Sequence, residues 1–177
     1  YVQDPQNIIK HKFVPLLHRV LTQRKFRPDE LATKNASGKR NRVDKGRKER
    51  HIYYPSHLDS IVYSYYNNIL VQAYEEYLSD KDYAGVAVAY RKIPKDDMSD
   101  GNKCNIEFAA DAFQFITNNK HRKLSVIVAD VTSFFDNLDH RLLHKQWKKI
   151  LNVEDLPADH YTIYKNLVDH KYDAKYN

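Results

Sequence analysis

Apolar residues recur at every third or fourth position in several parts of the chain, and this spacing predicts amphipathic helices. The longest such stretch covers residues 57–78, where Ser56 and Asp59 have the spacing of a capping box at the helix start. Its apolar face is rich in tyrosine, which is typical of core packing. Shorter helices are predicted at residues 105–117 and 139–151, and from Pro157 to about residue 169. A further helix is predicted to begin near Pro15, because apolar positions between residues 13 and 21 share a helical face.

Shorter apolar runs predict strands. Residues 41–43 and 50–54 are extended candidates on either side of Asp44-Lys45-Gly46, which is turn chemistry, so we expect a basic β-hairpin at about 39–54. Residues 86–90 predict a short strand. Residues 124–129 carry only small and branched side chains through Ala129 and predict a strand buried on both faces. The mixture of helices and strands predicts an α+β fold with a small antiparallel sheet.

The composition limits the class of protein. Of 177 residues, 42% are apolar and 29% are charged, which is globular and excludes a disordered tail, a collagen or a coiled coil. No apolar run approaches the roughly 18–20 residues of a membrane span, so no membrane partner is expected. The single cysteine, Cys104, excludes an internal disulfide and suits the cytoplasm. The chain begins at Tyr1 without a signal peptide, and we expect it to be a piece of a longer protein.

Positive charge is concentrated between residues 34 and 50. Eight Lys and Arg stand there against two acidic residues, a net charge of +6 that equals that of the whole chain. A compact cationic segment favours a polyanionic partner such as nucleic acid, a nucleotide or an anionic lipid. The alternative is a solvated basic loop that binds nothing.

One carboxylate carries the candidate chemistry. Asp130 follows directly after the predicted buried strand, where a charge is costly unless it meets a cation or hydrogen-bond donors. Mg²⁺ prefers carboxylate oxygens and leaves room for substrate phosphates. The alternative is that Asp130 caps the following turn.

Four motifs resemble those of reverse transcriptases, and they follow one another along the chain in the order found in that family. Asp130-Val-Thr-Ser-Phe-Phe-Asp136-Asn-Leu-Asp-His140 resembles the first palm motif of bacterial members, and Arg50-His-Ile-Tyr-Tyr-Pro55 resembles the second strand of the fingers hairpin. Asp59 with its helix and Val88-Ala-Tyr-Arg91 resemble two further blocks. The tyrosine-rich helix is more similar to defence-associated and retron-like branches than to viral enzymes.

The resemblance implies a polymerase right-hand fold with fingers, a partial palm and no thumb in this chain. The fingers-like region would cover residues 1–85, and the partial palm residues 86–177. The implied function is that of an RNA-directed DNA polymerase, which transfers dNTPs to a DNA or RNA primer on an RNA template. A role in antiviral defence, with a noncoding RNA or companion proteins, follows from the suspected branch.

The resemblance also implies residue roles. Asp130 and the backbone carbonyl of Val131 would bind Mg²⁺, and two such ions would activate the primer hydroxyl and stabilise the leaving pyrophosphate. Arg50 would hold the triphosphate, helped by Lys45 or Lys48. Phe135 would lie under the incoming sugar and exclude a 2′-hydroxyl, with backbone N–H groups of Ser133 and Phe134 nearby. The remaining nucleic-acid contacts are expected from Lys39, Arg40, Arg42, Arg47 and Arg91.

Several alternatives remain open. Phe134 and Phe135 are also typical of core packing, and at least one of the two is expected in the core. His140 and His144 have a zinc-compatible spacing, but a helix surface explains them. Asp136 leaves room for an RNA-dependent RNA polymerase-like palm.

The Tyr-x-Asp-Asp motif of the family is absent, and Asp96-Asp97 precedes Asp130 and cannot replace it. This chain alone is therefore expected to be inactive. A catalytically silent RNA-binding scaffold and a piece that binds an acidic protein are the other hypotheses.

Overall fold

The computed structural model describes residues 1–31, 34–95, 101–169 and 172–173. These residues form a small mixed α+β fold, as the sequence predicts at this coarse level. The helices are α1 (Pro5–Ile9), α2 (His57–Asp80), α3 (Asn105–Asn118), α4 (His140–Ile150) and α5 (Ala158–Val168), with a 3₁₀ helix at Phe135–Asn137. The strands are β1 (Leu16–Pro28), β2 (Arg42–Tyr54) and β3 (Tyr172–Asp173).

The sheet is a long antiparallel hairpin with a short third strand at its base. β1 pairs with β2 from Leu17 opposite Tyr54 to Pro28 opposite Arg42. β3 adds to the other edge of β1 in parallel. The basic hairpin predicted at about 39–54 is wrong in its pairing, because residues 42–54 form the single strand β2 and pair with β1 instead of with each other. Residues 29–41 join β1 to β2.

Two local predictions within the hairpin are wrong. The segment from Pro15 is a strand rather than a helix, because Leu16 and Val20 share a face in either element and only pairing with β2 decides between the two. Asp44-Lys45-Gly46 is not a turn, since β2 continues through it.

The residues predicted as a turn form a β-bulge instead. Arg24 pairs with Arg47 and Phe26 with Asp44, so that Lys45 and Gly46 together lie opposite Lys25. Gly46 has φ 106°, which only glycine adopts readily, and its N–H donates to Asp44 Oδ1 at 2.9 Å. Turn-forming residues therefore bend the strand without reversing it.

The predictions of the four helices α2 to α5 are confirmed, with each end within two residues of its predicted position. Ser56 Oγ accepts from Asp59 N at 3.1 Å, which confirms Ser56 as the cap of α2. The Asp59 side chain does not complete the box. Its carboxylate is buried, lies 2.6 Å from His11 Nε2 and accepts from Val14 N at 3.3 Å, so it ties the segment before β1 to the start of α2.

Contacts divide the chain into two compact units, Tyr1–Leu70 with Trp147–Asn177 and Val71–Gln146. The core of the first unit contains Ile8, Val62, Tyr66, Trp147 and Ile163. The division into fingers-like and palm-like regions at residue 85 stays a prediction.

Polar side chains inside the first unit are hydrogen bonded. Tyr66 Oη donates to Asp159 Oδ2 at 2.7 Å, Trp147 Nε1 donates to His160 Nδ1 at 3.3 Å, and Tyr63 Oη donates to Asn166 Oδ1. Burial, helped by the charge of Asp59, raises the pKa of Tyr63 to about 12. Burial lowers the pKa of His160. The tyrosine, tryptophan and histidine side chains of this core are thus paired, and burial favours the neutral forms of Tyr63 and His160.

The second unit is held by loops as much as by helices. Arg91 donates from Nε and Nη2 to both oxygens of Glu75, at 2.7 and 2.5 Å, and from Nη1 to the carbonyls of Ala84 and Ala87 at 2.7 Å each. These bonds fold residues 81–91 into successive turns, so the strand predicted at 86–90 is wrong.

The predicted buried strand at residues 124–129 is also wrong. The segment has no regular secondary structure and is exposed, with Ile127 at 89% and Val128 at 91%. A strand that is apolar on both faces needs neighbours on both edges to form its ladder, and no described residue of this unit supplies one. Among the described residues, no helix has the length and apolar character needed to cross a membrane.

Candidate nucleic-acid interface

A cationic groove lies along the hairpin. It has a volume of about 540 Å³. Six of its eight lining residues are Lys or Arg, and none is acidic. The lining residues are Gln23, Arg24, Lys25, Phe26, Arg27, Arg42, Lys48 and Arg50.

The pairing of the two strands explains how the groove is built. Residues that face each other across an antiparallel pair lie on the same face of the sheet. Lys48 is opposite Gln23 and Arg50 is opposite Leu21, so these two of the three β2 cations in the groove lie on the face of the odd-numbered β1 residues. Successive residues on one face of a strand are about 6.6–6.8 Å apart, so the cations form a row rather than a cluster.

The charge of the hairpin is not neutralised internally. Residues 16–54 contain twelve Lys and Arg against four Asp and Glu, a net charge of +8 compared with +6 for the whole chain. No carboxylate of a described residue lies within 4.0 Å of a hairpin Lys or Arg. Such a row attracts anions and carries a self-repulsion that an anionic ligand would relieve.

The structure brings together three of the cations that the sequence singled out, Arg42, Lys48 and Arg50. Lys45 lies in the bulge, and Arg47 is paired across the strands with Arg24. Lys39 and Arg40 are exposed in the loop that joins β1 to β2.

That loop has a fixed conformation around Asn35. Asn35 Oδ1 accepts from Ser37 N at 3.1 Å and Lys39 N at 2.9 Å, and Asn35 N donates to Lys39 O at 2.8 Å. These bonds set the backbone from which Lys39 extends.

The sequence reasoning missed three cations of the groove, namely Arg24, Lys25 and Arg27. The helix predicted from Pro15 removed them from the hairpin. The run Gln23-Arg24-Lys25-Phe26-Arg27 was the available signal, because it is as basic as the segment that follows.

The residues of the first palm motif lie in the second unit. Asp130 and Val131 are exposed within a segment without regular structure, and Ser133 has φ 50°. Phe134 and Phe135 contact each other edge to face at 5.3 Å and are 52% and 74% exposed, so the expectation that one of them is in the core is wrong. The side chains that would meet a nucleotide are therefore open to solvent.

Asp139, which closes the same motif, has a structural role. Its Oδ1 accepts from the backbone N–H groups of Arg141 and Leu142 at 2.8 and 3.0 Å, which caps α4. His140 and His144 lie one turn apart on α4.

Nowhere in the described ranges do three or more His, Cys, Asp or Glu side chains form a group that could hold a metal ion. Asp96 and Asp97 lie outside these ranges.

Arg91 uses its guanidinium within the second unit. The four hydrogen bonds to Glu75, Ala84 and Ala87 occupy its Nε, Nη1 and Nη2 atoms. The expected contact of Arg91 with nucleic acid would have to compete with these bonds. The chain matches no protein-family model and no curated protein.

Proposed function

We propose that the chain is the N-terminal part of an RNA-directed DNA polymerase that adds dNTPs to a primer on an RNA template. The observation that carries the proposal is the cationic groove, because it contains Arg50 and Lys48, two of the residues to which the motif resemblance assigns the triphosphate. A guanidinium fork fits phosphate oxygens in a bidentate manner, and a lysine beside it adds a point charge.

The motif resemblance assigns the metal ligands of the proposed polymerase to the palm motif. The carboxylate of Asp130 and the carbonyl of Val131 are hard oxygen donors of the kind that Mg²⁺ takes, and their exposure leaves them open to a bound nucleotide. The bound ions would supply charge stabilisation for phosphoryl transfer. Phe135 would exclude a ribose 2′-hydroxyl by its bulk, while Arg50 and Lys48 orient the phosphates.

The first experiment removes the carboxylate. In the full-length protein, Asp130→Ala should abolish dNTP incorporation on an RNA template, measured by primer extension. Asp155→Ala, which removes an exposed carboxylate from the loop between α4 and α5, serves as the matched control and should incorporate normally. Robust synthesis by the Asp130 variant would overturn its assignment as a metal ligand.

The second experiment tests the groove. Arg50→Ala should raise the KM for dNTP by about tenfold or more, since a charge-assisted hydrogen bond contributes about 1.5–3 kcal/mol. Arg50→Lys should recover only part of this affinity, because an ammonium lacks the fork. An unchanged KM in both variants would remove Arg50 from the nucleotide site.

A third experiment tests the choice of sugar. Phe135→Ala should raise the rate of ribonucleotide incorporation relative to deoxynucleotide incorporation. If native and variant proteins both prefer ribonucleotides, the RNA-dependent RNA polymerase-like alternative replaces the proposal.

The second candidate function is a catalytically silent RNA-binding module. The groove favours it, because the positive charge of the hairpin suffices to bind RNA whether or not Asp130 holds a metal. The two candidates differ in one result. A silent module binds RNA with strong salt dependence but incorporates no nucleotide in its full-length form.

A further inference from the structure

The face of the hairpin opposite Lys48 and Arg50 has its own ordered set of side chains. On β1 this face carries His18, Thr22 and Arg24, and on β2 it carries Arg47 and His51. We call this set of five residues the imidazole face. Arg24 also lines the groove, whereas Arg47 and His51 do not, so variants of Arg47 and His51 alter the imidazole face alone.

The two histidines of this face form one flat surface. His18 Nε2 and His51 Nδ1 are 2.9 Å apart, the ring planes differ by 3°, and the ring centroids are 5.1 Å apart. A nitrogen–nitrogen hydrogen bond at this centroid separation requires the rings to lie edge to edge in one plane rather than on top of each other. His18 is buried and packs against Tyr53 at 4.8 Å, whereas His51 is exposed. The hydrogen bond therefore fixes the orientation of an exposed aromatic ring.

The same face carries two like charges in register. Arg24 and Arg47 are directly opposite each other, both are exposed, and neither has an ion pair with a described residue. Like charges at directly opposed positions destabilise a sheet. A phosphate between the two guanidinium groups would convert this repulsion into two charge-assisted contacts.

We propose that the imidazole face is a second track, which shares only Arg24 with the groove, for an unpaired nucleic-acid strand, with Arg24 and Arg47 on a phosphate and a base stacked on His51. Arg47 and His51 are four residues apart on β2, a separation of about 13 Å at the rise of a strand. A single strand can span this distance when its bases are unstacked from one another, which leaves one of them free to stack on His51. An aromatic platform beside cations is the usual means of binding unpaired strands, because every base has a stacking face.

Substitution of Glu49 is expected to change nucleic-acid affinity in the direction opposite to substitution of Arg47. It lies on the same face, between Arg47 and His51, and is paired across the strands with Thr22. Its carboxylate would repel the strand that the two flanking residues bind. Glu49→Gln should therefore strengthen binding, whereas Arg47→Gln weakens it.

The test is isothermal titration calorimetry of the full chain with a 12-nucleotide oligouridylate. His51→Ala should weaken binding by about tenfold, the lower range of a lost base stack, and His51→Phe, which keeps a stacking ring but loses the bond to His18, should recover part of this affinity. Arg47→Gln should reduce the slope of the logarithm of the binding constant against the logarithm of the salt concentration by about 0.7, the value for one lost phosphate contact to a single strand. The Tm should not fall. Lys10→Gln, which removes an exposed cation outside the hairpin, is the charge-matched control and should bind normally.

Three results would overturn the second track. The first is oligouridylate binding within twofold of the native chain for both Arg47→Gln and His51→Ala. The second is an equal loss of affinity in His51→Phe and His51→Ala. The third is that these variants lose as much affinity for a blunt RNA duplex as for the oligouridylate.

The track rests on the proposed function only in that its ligand is nucleic acid. Loss of dNTP incorporation in Arg50→Ala with normal RNA binding by Arg47→Gln and His51→Ala would overturn the track and leave the polymerase proposal intact. Weak RNA binding by those two variants, together with full synthesis by Asp130→Ala, would support the track and overturn the polymerase proposal.

Discussion

The side chain of Asp59 connects the segment before β1 to the start of α2. Its buried carboxylate meets His11 Nε2 and Val14 N, and its own N–H donates to Ser56 Oγ. His11 Nδ1 in turn lies 2.9 Å from the Tyr1 hydroxyl. The segment before β1 and the first turn of α2 are therefore fixed to each other at the base of the hairpin.

We expect Asp59→Ala to destabilise the first unit by about 3 kcal/mol, because removal of one partner leaves a buried polar group without compensation. Asp59→Asn should cost less, since its amide oxygen can still accept from Val14 N. The measurement is urea unfolding followed by circular dichroism. Ser64→Ala, at an exposed position of the same helix, is the control and should change the midpoint little. A midpoint for Asp59→Ala equal to that of the control would contradict the structural role.

His160 makes the stability of the first unit depend on pH. Burial lowers its pKa in the folded state, and Trp147 Nε1 donates to its Nδ1, which must be unprotonated to accept. The unfolded chain then binds more protons than the folded one once the pH falls below the ordinary histidine pKa of about 6.5. The contribution of His160 is present above that pH and is lost as the solution becomes more acidic.

We therefore expect the Tm of the native chain to fall between pH 7.5 and pH 5 by more than that of His160→Gln, which cannot take up the proton. Thermal unfolding at four pH values checks this. Parallel curves for the two proteins would show that His160 does not carry the dependence.

Among the elements, the β-bulge decides the form of the hairpin. Lys45 and Gly46 are accommodated opposite Lys25 alone, and a bulge of this kind bends its strand and increases the local twist. The groove residues lie on both sides of this point, so the bulge sets how the cations of β1 approach those of β2.

Gly46→Ala should destabilise the hairpin by about 1 kcal/mol or more, because alanine at positive φ is strained although its Cβ meets no atom within 4 Å. RNA affinity should fall with it, since the groove loses its geometry. The matched control is Gly85→Ala, at a glycine with equally open surroundings and no positive φ. Calorimetric unfolding and RNA titration of both variants check the prediction, which equal Tm values would refute.

The elements also show what a sequence can predict. Helices α2 to α5 follow from local periodicity, and the Ser56 cap follows from a spacing of three residues, because both are settled within a few turns of chain. β1 could not be predicted in this way, since Leu16 and Val20 share a face in a helix as well as in a strand, and the residues that pair with β1 lie 14 to 37 positions further along the chain. The cations of β2 were found from composition, whereas those of β1 required the pairing.

At the scale of the whole molecule, charge and apolar surface are unevenly distributed. The hairpin has a net charge of +8, so the rest of the chain has −2. The described buried apolar residues belong to the first unit, except for Leu78. The second unit leaves Phe113, Ile127 and Val128 exposed.

This uneven burial predicts uneven protection in native-state hydrogen exchange. Amides of α5 should exchange slowly, because their bonds break only with the core around Ile163. Amides of residues 124–131 should exchange at nearly the rate of an unstructured peptide, since no ladder covers them. Mass spectrometry of peptides from both regions measures the difference. Strong protection at 124–131 would show that the strand predicted there does form in solution.

Trp147 is the single tryptophan of the chain, and it is only 5% exposed in the core, with His160 as its hydrogen-bond partner. Its intrinsic emission therefore reports on one of the two units, without a label and without interference from a second indole. A red shift of this emission during unfolding therefore measures when that core opens. Any change in far-ultraviolet signal that precedes it belongs to helices elsewhere.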